Sequence, residues 1–265
     1  MILLSFDIEE FDAPLEHGVN LPFEEQMRIS KEGTHKILDC LAQHRVKATF
    51  FCTANFALHA KDVINDIQKD GHEIASHGFY HSSFETADLL RSKETLEDIT
   101  GQTVYGFRMA RMMPVKEEDI QNAGYLYNSS LNPTCIPGRY NHFRQPRTHF
   151  MKAEVLQLPA SVTPLIRFPL FWLAYHNLPA TLYREFDYWT WKADSYFLTY
   201  FHPWEFTPIN ERKELKLPLI MTNNAGDKML QRLNDLIYFF KEKGVPFGTF
   251  SQFSQELLNK EYGKK

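Results

Sequence analysis

Short apolar runs alternate with stretches of helical spacing along most of the chain. Ile2 to Phe6 predicts a buried strand, and Val46 to Cys52 (VKATFFC), β-branched and aromatic, predicts another that runs into Thr53-Ala54-Asn55. Between them Ile37, Leu38 and Leu41 recur at helical spacing. Val63, Ile64 and Ile67 mark a second helix, closed by Asp70-Gly71. His72 to Ala75 predicts a short strand, Ser83 to Ile99 a helix, Thr103 to Phe107 a strand and Lys116 to Ala123 a helix. Later, Tyr196 to Phe201 is strand-like, and Pro246 to Phe250 gives a last short strand. Met229, Leu230, Leu233, Leu236, Ile237 and Phe240 share one face of the clearest amphipathic helix, stopped by Gly244. Strands that alternate with helices imply right-handed βαβ units and a parallel sheet. From Asn132 to Pro179 the rhythm fails, in a stretch rich in Pro, Arg and aromatics; so long an irregular segment predicts a functional cap. With no linker-like tract and no repeat, the expectation is a single domain over 1–265, with 132–179 as its cap.

Composition narrows the classes of function. The 265 residues are 43% hydrophobic and 23% charged, which excludes disordered and fibrous chains. A net charge of −4 leaves no electrostatic footprint for nucleic acid or an anionic membrane. Aromatic content is high at 14%, which serves either a core or a sugar-stacking cleft. Cys40, Cys52 and Cys135 form no CxxC pair and suit a reducing compartment. The opening MILLSFDIEEFD turns acidic too early for a secretory signal, and the richest apolar stretch, Pro164 to Leu178, is broken by Arg167, Pro169 and His176. A cytoplasmic protein with no membrane span is expected.

Polar residues at strand ends carry the candidate chemistry, because parallel α/β folds place ligands at the carboxyl ends of their strands. Along Ser5-Phe6-Asp7-Ile8-Glu9, alternation puts Ser5, Asp7 and Glu9 on one face and Phe6 and Ile8 on the other. Two carboxylates on one face repel unless a cation or a shared proton relieves them. Glu10 and Asp12 read as an acidic strand exit facing water. His77 and His81 lie four apart after a short strand, a spacing that brings two imidazoles to one side of a helical turn. Two histidines and one carboxylate leave coordination positions open, as a catalytic metal site requires. Arg108 ends another strand in Gly106-Phe107-Arg108, and His202 closes the aromatic strand leading into Phe201-His202-Pro203-Trp204-Glu205-Phe206. Taken singly, such an arginine is most often a surface charge and such a histidine a satisfied core group.

In this order the four pieces resemble the NodB-homology polysaccharide deacetylases, the carbohydrate esterase family four type. The resemblance runs from Ile2 to about Phe253 and includes Val46-Lys47-Ala48-Thr49-Phe50-Phe51. It implies a distorted (β/α) barrel of about seven parallel strands with an irregular cap. It also implies a hydrolase that removes N-acetyl groups from an amino sugar, oligosaccharide or polysaccharide. By the resemblance, Glu9, His77 and His81 hold a divalent transition metal, zinc first, with cobalt, nickel or manganese as alternatives. Asp7 is the base for the attacking water, His202 the acid for the departing amine, and Arg108 the group that orients Asp7. A backbone N–H near Tyr127 is the expected oxyanion partner. Asn128, Trp189, Trp191, Trp204 and Arg111 are further substrate-side candidates.

The sequence departs from the family pattern at Ile8, where a second aspartate is usual, at Gly78 for Ser or Thr, at Ala110 for Pro, and at Asn128 for Asp. Ile8 shifts the metal carboxylate to Glu9. Asn128 removes the charge that usually holds the acid histidine, so Asp187 is the expected replacement beside His202. Arg139, Arg144 and Arg147 of the cap are candidates to face the cleft and favour an anionic substrate. Two other readings stand beside the first. One is a deformylase or other small-amide or cyclic-imide hydrolase on the same fold. The other is a catalytically dead barrel that binds glycans through its aromatics. The oligomeric state is left open.

Overall fold

The computed structural model describes residues 1–137, 140–261 and 263. The first apolar run forms β1 (Ile2–Ile8), buried along its whole length. There follow α1 (Phe23–His44), β2 (Thr49–Cys52), α2 (Ala54–His59), α3 (Lys61–Lys69), β3 (Glu73–Ser76), α4 (Ala87–Thr100), β4 (Gly106–Phe107), α5 (Glu117–Asn122) and β5 (Tyr127–Asn128). The next stretch holds β6 (Cys135–Ile136), β7 (Tyr140–Asn141), β8 (Phe150–Lys152), β9 (Val155–Gln157) and α6 (Trp172–Asn177). The chain continues with α7 (Ala180–Asp194), β10 (Phe197–Phe201), α8 (Leu219–Thr222), α9 (Asp227–Glu242), β11 (Phe247–Gly248) and α10 (Phe250–Glu261).

Nine strands form one curled sheet in the order β10-β1-β2-β3-β4-β5-β9-β8, with β11 also on β1. All its pairings are parallel except the β8–β9 hairpin. The chain beyond β9 returns to β10. The Ser161 N–H donates to the Leu198 carbonyl at 3.0 Å, and the Leu198 N–H donates to Ser161 Oγ at 2.9 Å. The result is a distorted (β/α) barrel, as the resemblance implies, built on the parallel sheet that the alternation of elements predicts. Part of the stretch 132–179 belongs to that barrel rather than to a cap, since β8 and β9 extend the sheet.

Fully buried aromatics fill the interior, among them Phe6, Phe50, Phe51, Phe107, Phe197 and Phe201. Most of the high aromatic content is therefore core. Two glycines allow close approaches. A Cβ at Gly33, in the middle of α1, would lie 1.8 Å from the Pro203 carbonyl oxygen, so the helix abuts the backbone just after His202. A Cβ at Gly106 would fall 1.9 Å from the Tyr127 ring. Among the described residues no helix is long and apolar enough to cross a membrane.

Candidate active site

The ends of β1, β3, β4 and β10 meet at a cleft of about 300 Å³. Asp7, Glu9, His81 and His202 line it together with Arg111 and Trp204. As alternation requires, Asp7 and Glu9 reach the same cleft while Ile8 is buried in the core.

Glu9 lies between two imidazoles. Its Oε2 is 3.2 Å from His77 Nε2 and 3.0 Å from His81 Nε2, and one ligand atom from each residue lies within 4.8 Å of the others. The far side of each ring fixes its tautomer. His77 Nδ1 sits 2.9 Å from the Arg108 carbonyl, which can only accept, so Nδ1 carries the proton. His81 Nδ1 donates to Asp12 Oδ1 at 2.5 Å. Both Nε2 lone pairs then face Glu9 Oε2, a buried oxygen with no hydrogen-bond partner. Three ligand atoms converge, the donor set of a divalent cation, with the outer hydrogen bonds that metal-ligating histidines use. Burial pushes the Glu9 carboxyl up to about 8; His81 opposes the rise, and Asp12, Asp7 and Glu10 add to it.

The two histidines do not sit on a helical turn. His77 to His81 is irregular chain, turned by Gly78 at φ +84°, a left-handed conformation that favours glycine and accounts for its presence there.

Arg108 is wholly buried and holds Asp7. Its Nη1 donates to Asp7 Oδ1 at 2.5 Å and to Ser5 Oγ at 3.0 Å. Nε and Nη2 donate to the carbonyl and hydroxyl oxygens of Ser129, each at 3.1 Å. Burial raises the Asp7 carboxyl, but the Arg108 charge, aided by His77 and His202, overrides it and holds Asp7 below the usual carboxylate range.

Glu10 and Asp12 do not face water, because both turn back into the site. Glu10 accepts from Thr53 Oγ1 at 2.8 Å and from Asn55. Asp12 accepts from His81 and, at 3.2 Å, from Arg111 Nη2. Arg111 lines the cleft with its backbone at φ +57°, beside Met112 at +52°, and its Nη1 pairs with Glu16 at 2.5 Å.

His202 is held by Glu205, not by Asp187. Glu205 Oε1 accepts the His202 backbone N–H at 2.6 Å and lies 2.9 Å from its Nδ1. Asp187 is buried on α7, where its carboxyl accepts from the Tyr175 hydroxyl at 2.6 Å. The Trp204 ring stacks on His202 at 5.4 Å, and the edge-on Trp172 of α6 lies 5.3 Å away.

Several expected substrate-side residues lie elsewhere. The Tyr127 side chain is buried and donates to Glu73 at 2.9 Å; its backbone N–H is taken by the Tyr105 carbonyl, leaving no free oxyanion donor. Asn128 is spent on Gln157 and Ser130. Trp189 is exposed on α7 and does not line the cleft, while Trp191 packs on Tyr188 and Phe240. Arg147 is tied to Asp194, Arg144 is exposed away from the cleft lining, and Arg139 lies outside the described residues. Asp12, Glu205, Trp172 and His176 are the site residues that pattern reading missed. Only Glu205 left a signal, its position three residues after His202.

Comparison with known proteins agrees with this geometry. Residues 12–113 match the family model described as polysaccharide deacetylase. The peptidoglycan-N-acetylmuramic acid deacetylase PdaA of Bacillus subtilis is 33% identical over 66 residues, 25% of each chain. The matches span less than a third of the length of the first curated relatives. Among solved structures, Puue allantoinase superposes with a TM-score of 0.68 at 15% identity, over 98% of this chain and 90% of that one. The Bc1960 peptidoglycan N-acetylglucosamine deacetylase gives 0.54 at 18% identity, over 95% and 86%. At these identities the structural likeness speaks for the fold alone. Over residues 12–113 the sequence is similar to the polysaccharide deacetylases, and over nearly the whole chain the fold is like that of these solved structures.

Proposed function

We propose that the protein hydrolyses the N-acetyl group of an amino sugar, using a divalent transition metal, zinc first, held by Glu9, His77 and His81. The observation that carries this reading is the convergence of two imidazole Nε2 atoms, each ring held at Nδ1 from behind, on the buried Glu9 Oε2, in a cleft that Asp7 and His202 also line. The chemistry a cation supplies at such a place is Lewis acidity towards the acyl carbonyl and a lowered pKa for water. Asp7, held ionised by Arg108, accepts the proton of the attacking water; Arg108 occupies Oδ1, which leaves Oδ2 for that proton. His202, with Nδ1 turned to Glu205, has Nε2 left for the cleft. From Nε2 it protonates the amine nitrogen as the C–N bond breaks. Trp204 and Trp172 wall the acid side with flat apolar surface suited to sugar C–H faces, and Arg111 supplies a polar edge. The name of the Bacillus subtilis relative, an amino-sugar deacetylase, points the same way. Three free thiols, with Cys135 exposed, favour the cytoplasm.

The test is a panel of N-acetylated amino sugars assayed for released acetate, with metal analysis of the same protein. Asp7→Asn is expected to keep its metal and lose turnover, and His202→Ala to keep its metal and lose about 10²–10⁴-fold. Loss of metal from Asp7→Asn would reverse the roles of Asp7 and Glu9. Near-full activity of His202→Ala would remove it from the mechanism.

A further inference from the structure

Behind His202 lies a second buried histidine that the mechanism does not use. His176, on α6, is fully buried, as is Glu205. Its Nδ1 accepts the backbone N–H of Asn224 at 3.4 Å, which puts the ring proton on Nε2, and Nε2 lies 3.1 Å from Glu205 Oε2. Glu205 thus receives three N–H groups: the His202 amide and Nδ1–H on Oε1, and His176 Nε2–H on Oε2. Burial, with the charges of Asp7 and Glu9, pushes the Glu205 carboxyl well up, and the His202 amide opposes that rise. The amide on Oε1 and His176 Nε2–H on Oε2 occupy both oxygens with donors, an arrangement that selects the carboxylate and with it Nδ1–H on His202.

We propose that His176 is a positioning residue for the acid: it holds Glu205 as a carboxylate, in the orientation that fixes His202 with Nε2 turned to the cleft. This inference rests on the deacetylase reading above. The supply of His176 is itself braced. Residues 172 and 176 are one helical turn apart, so α6 presents Trp172 and His176 together to the His202–Trp204 pair. The helix is tied down by Tyr175 on Asp187, and by Arg232, which donates to the carbonyls of Tyr175 and Leu178 at 2.7 and 2.8 Å. The charged and titratable groups around His202 are Asp7 on β1, His77 and His81 after β3, Arg108 after β4 and Glu205 after β10. Apart from Glu205, the ionisable neighbour of His176 is Arg232 on α9. Burial, with His81, His77 and Arg108, pushes the His202 imidazole down to about 3, and Asp7 opposes the fall. Asp7 is already paired with Arg108, so the carboxylate at Nδ1, Glu205, is the group placed to return the proton to His202.

Two substrates separate positioning from mere packing. An amide needs its amine protonated on departure, whereas p-nitrophenyl acetate loses a stable phenolate without help. His176→Phe is expected to lower turnover of the N-acetyl sugar by about 10-fold or more and the ester by less than twofold, with the alkaline limb of the amide profile moved to lower pH. His176→Gln, which keeps an N–H near the Nε2 position, should recover most of the amide activity. Equal losses on both substrates, or no loss on either, would overturn the proposal. The ring nitrogens of zinc-loaded wild-type protein give a readout that needs neither a variant nor turnover. By ¹⁵N NMR, His176 should carry its proton on Nε2 and His202 should keep a proton on Nδ1 through the titration of its Nε2, and the opposite tautomer at His176 refutes the chain of donors. Wild-type protein that hydrolyses neither substrate yet shows these tautomers would reject the deacetylase reading and leave the hydrogen-bonded chain standing.

Discussion

Replacing Gly33 with alanine places one methyl group where α1 meets the backbone that carries the acid. In an ordinary helix interior this substitution stabilises by roughly 0.5–1 kcal/mol. Here the added Cβ would stand 1.8 Å from the Pro203 carbonyl oxygen, so the two backbones must part by about 1.5 Å to reach ordinary contact. The obstacle is main chain, with no flexible side chain to swing aside. Overpacking of this kind costs about 1–3 kcal/mol, which offsets the helical gain and leaves a net loss of up to about 2.5 kcal/mol. For a chain of this length that is a fall in Tm of up to roughly 10 °C. The larger effect falls on turnover. His202 directly precedes Pro203, and a misplacement of about 1 Å in a catalytic group can cost about 10²-fold. Metal content should not change, since Glu9, His77 and His81 stand at the ends of β1 and β3. Calorimetry, acetate release and metal analysis on one preparation read all three. A Gly33→Ala protein that is more stable and fully active would refute the contact; one that is less stable yet fully active would show that His202 does not move with Pro203.

Other perturbations address the ligand set. Asp12→Asn removes the carboxylate that orients His81 and should weaken zinc binding about 10–100-fold in competition with a chromophoric chelator; an unchanged affinity would reject Asp12 as its support. Metal removal should make stability depend on pH with a definite sign. Folding raises the Glu9 carboxyl from 4.5 to about 8, so its contribution is present below 4.5 and is lost as pH climbs through about 8. The Tm of chelator-treated protein should therefore fall across that window and recover on addition of zinc. A metal-free protein whose Tm rises over the same window would contradict the burial of that charge.

Much of this architecture was legible because apolar runs and helical spacing are written locally. β1, β2, β10 and α9 are mostly apolar where they are buried, with a few polar residues turned to the site or to hydrogen bonds. The missed elements bury other things. α7 turns Tyr183, Asp187 and Thr190 inward, a face with no apolar period, and the first half of α1 buries Ser30, Gly33 and Thr34 where small residues permit close packing. Asp7, Glu9, Arg108 and His202 were legible as candidates because they lie at or just past strand ends, and His77 and His81 by their spacing; the roles given to them came from the resemblance. Asp12 and His176 could not, since their roles depend on which chain segment folds back against which. Asp187 was misassigned for the same reason: its helix places it against Tyr175, 12 residues earlier, rather than at the cleft.

The strand order also sets when the site can exist. β1 lies between β10 and β2, so Ser5 bonds to Thr199, 194 residues further along the chain. On a ribosome, Asp7 and Glu9 emerge well before β10, the neighbour that covers one edge of their strand and is made only after most of the barrel. Until then β1 carries an open row of amides and carbonyls beside a largely apolar surface, a template for pairing with other chains. Loop-closure entropy over so long a separation makes the docking of β10 a late and slow event. The same strand brings His202 to Asp7. Sheet closure and the meeting of Asp7 with His202 are thus one step, and forms without docked β10 lack the pair on which the proposed chemistry depends.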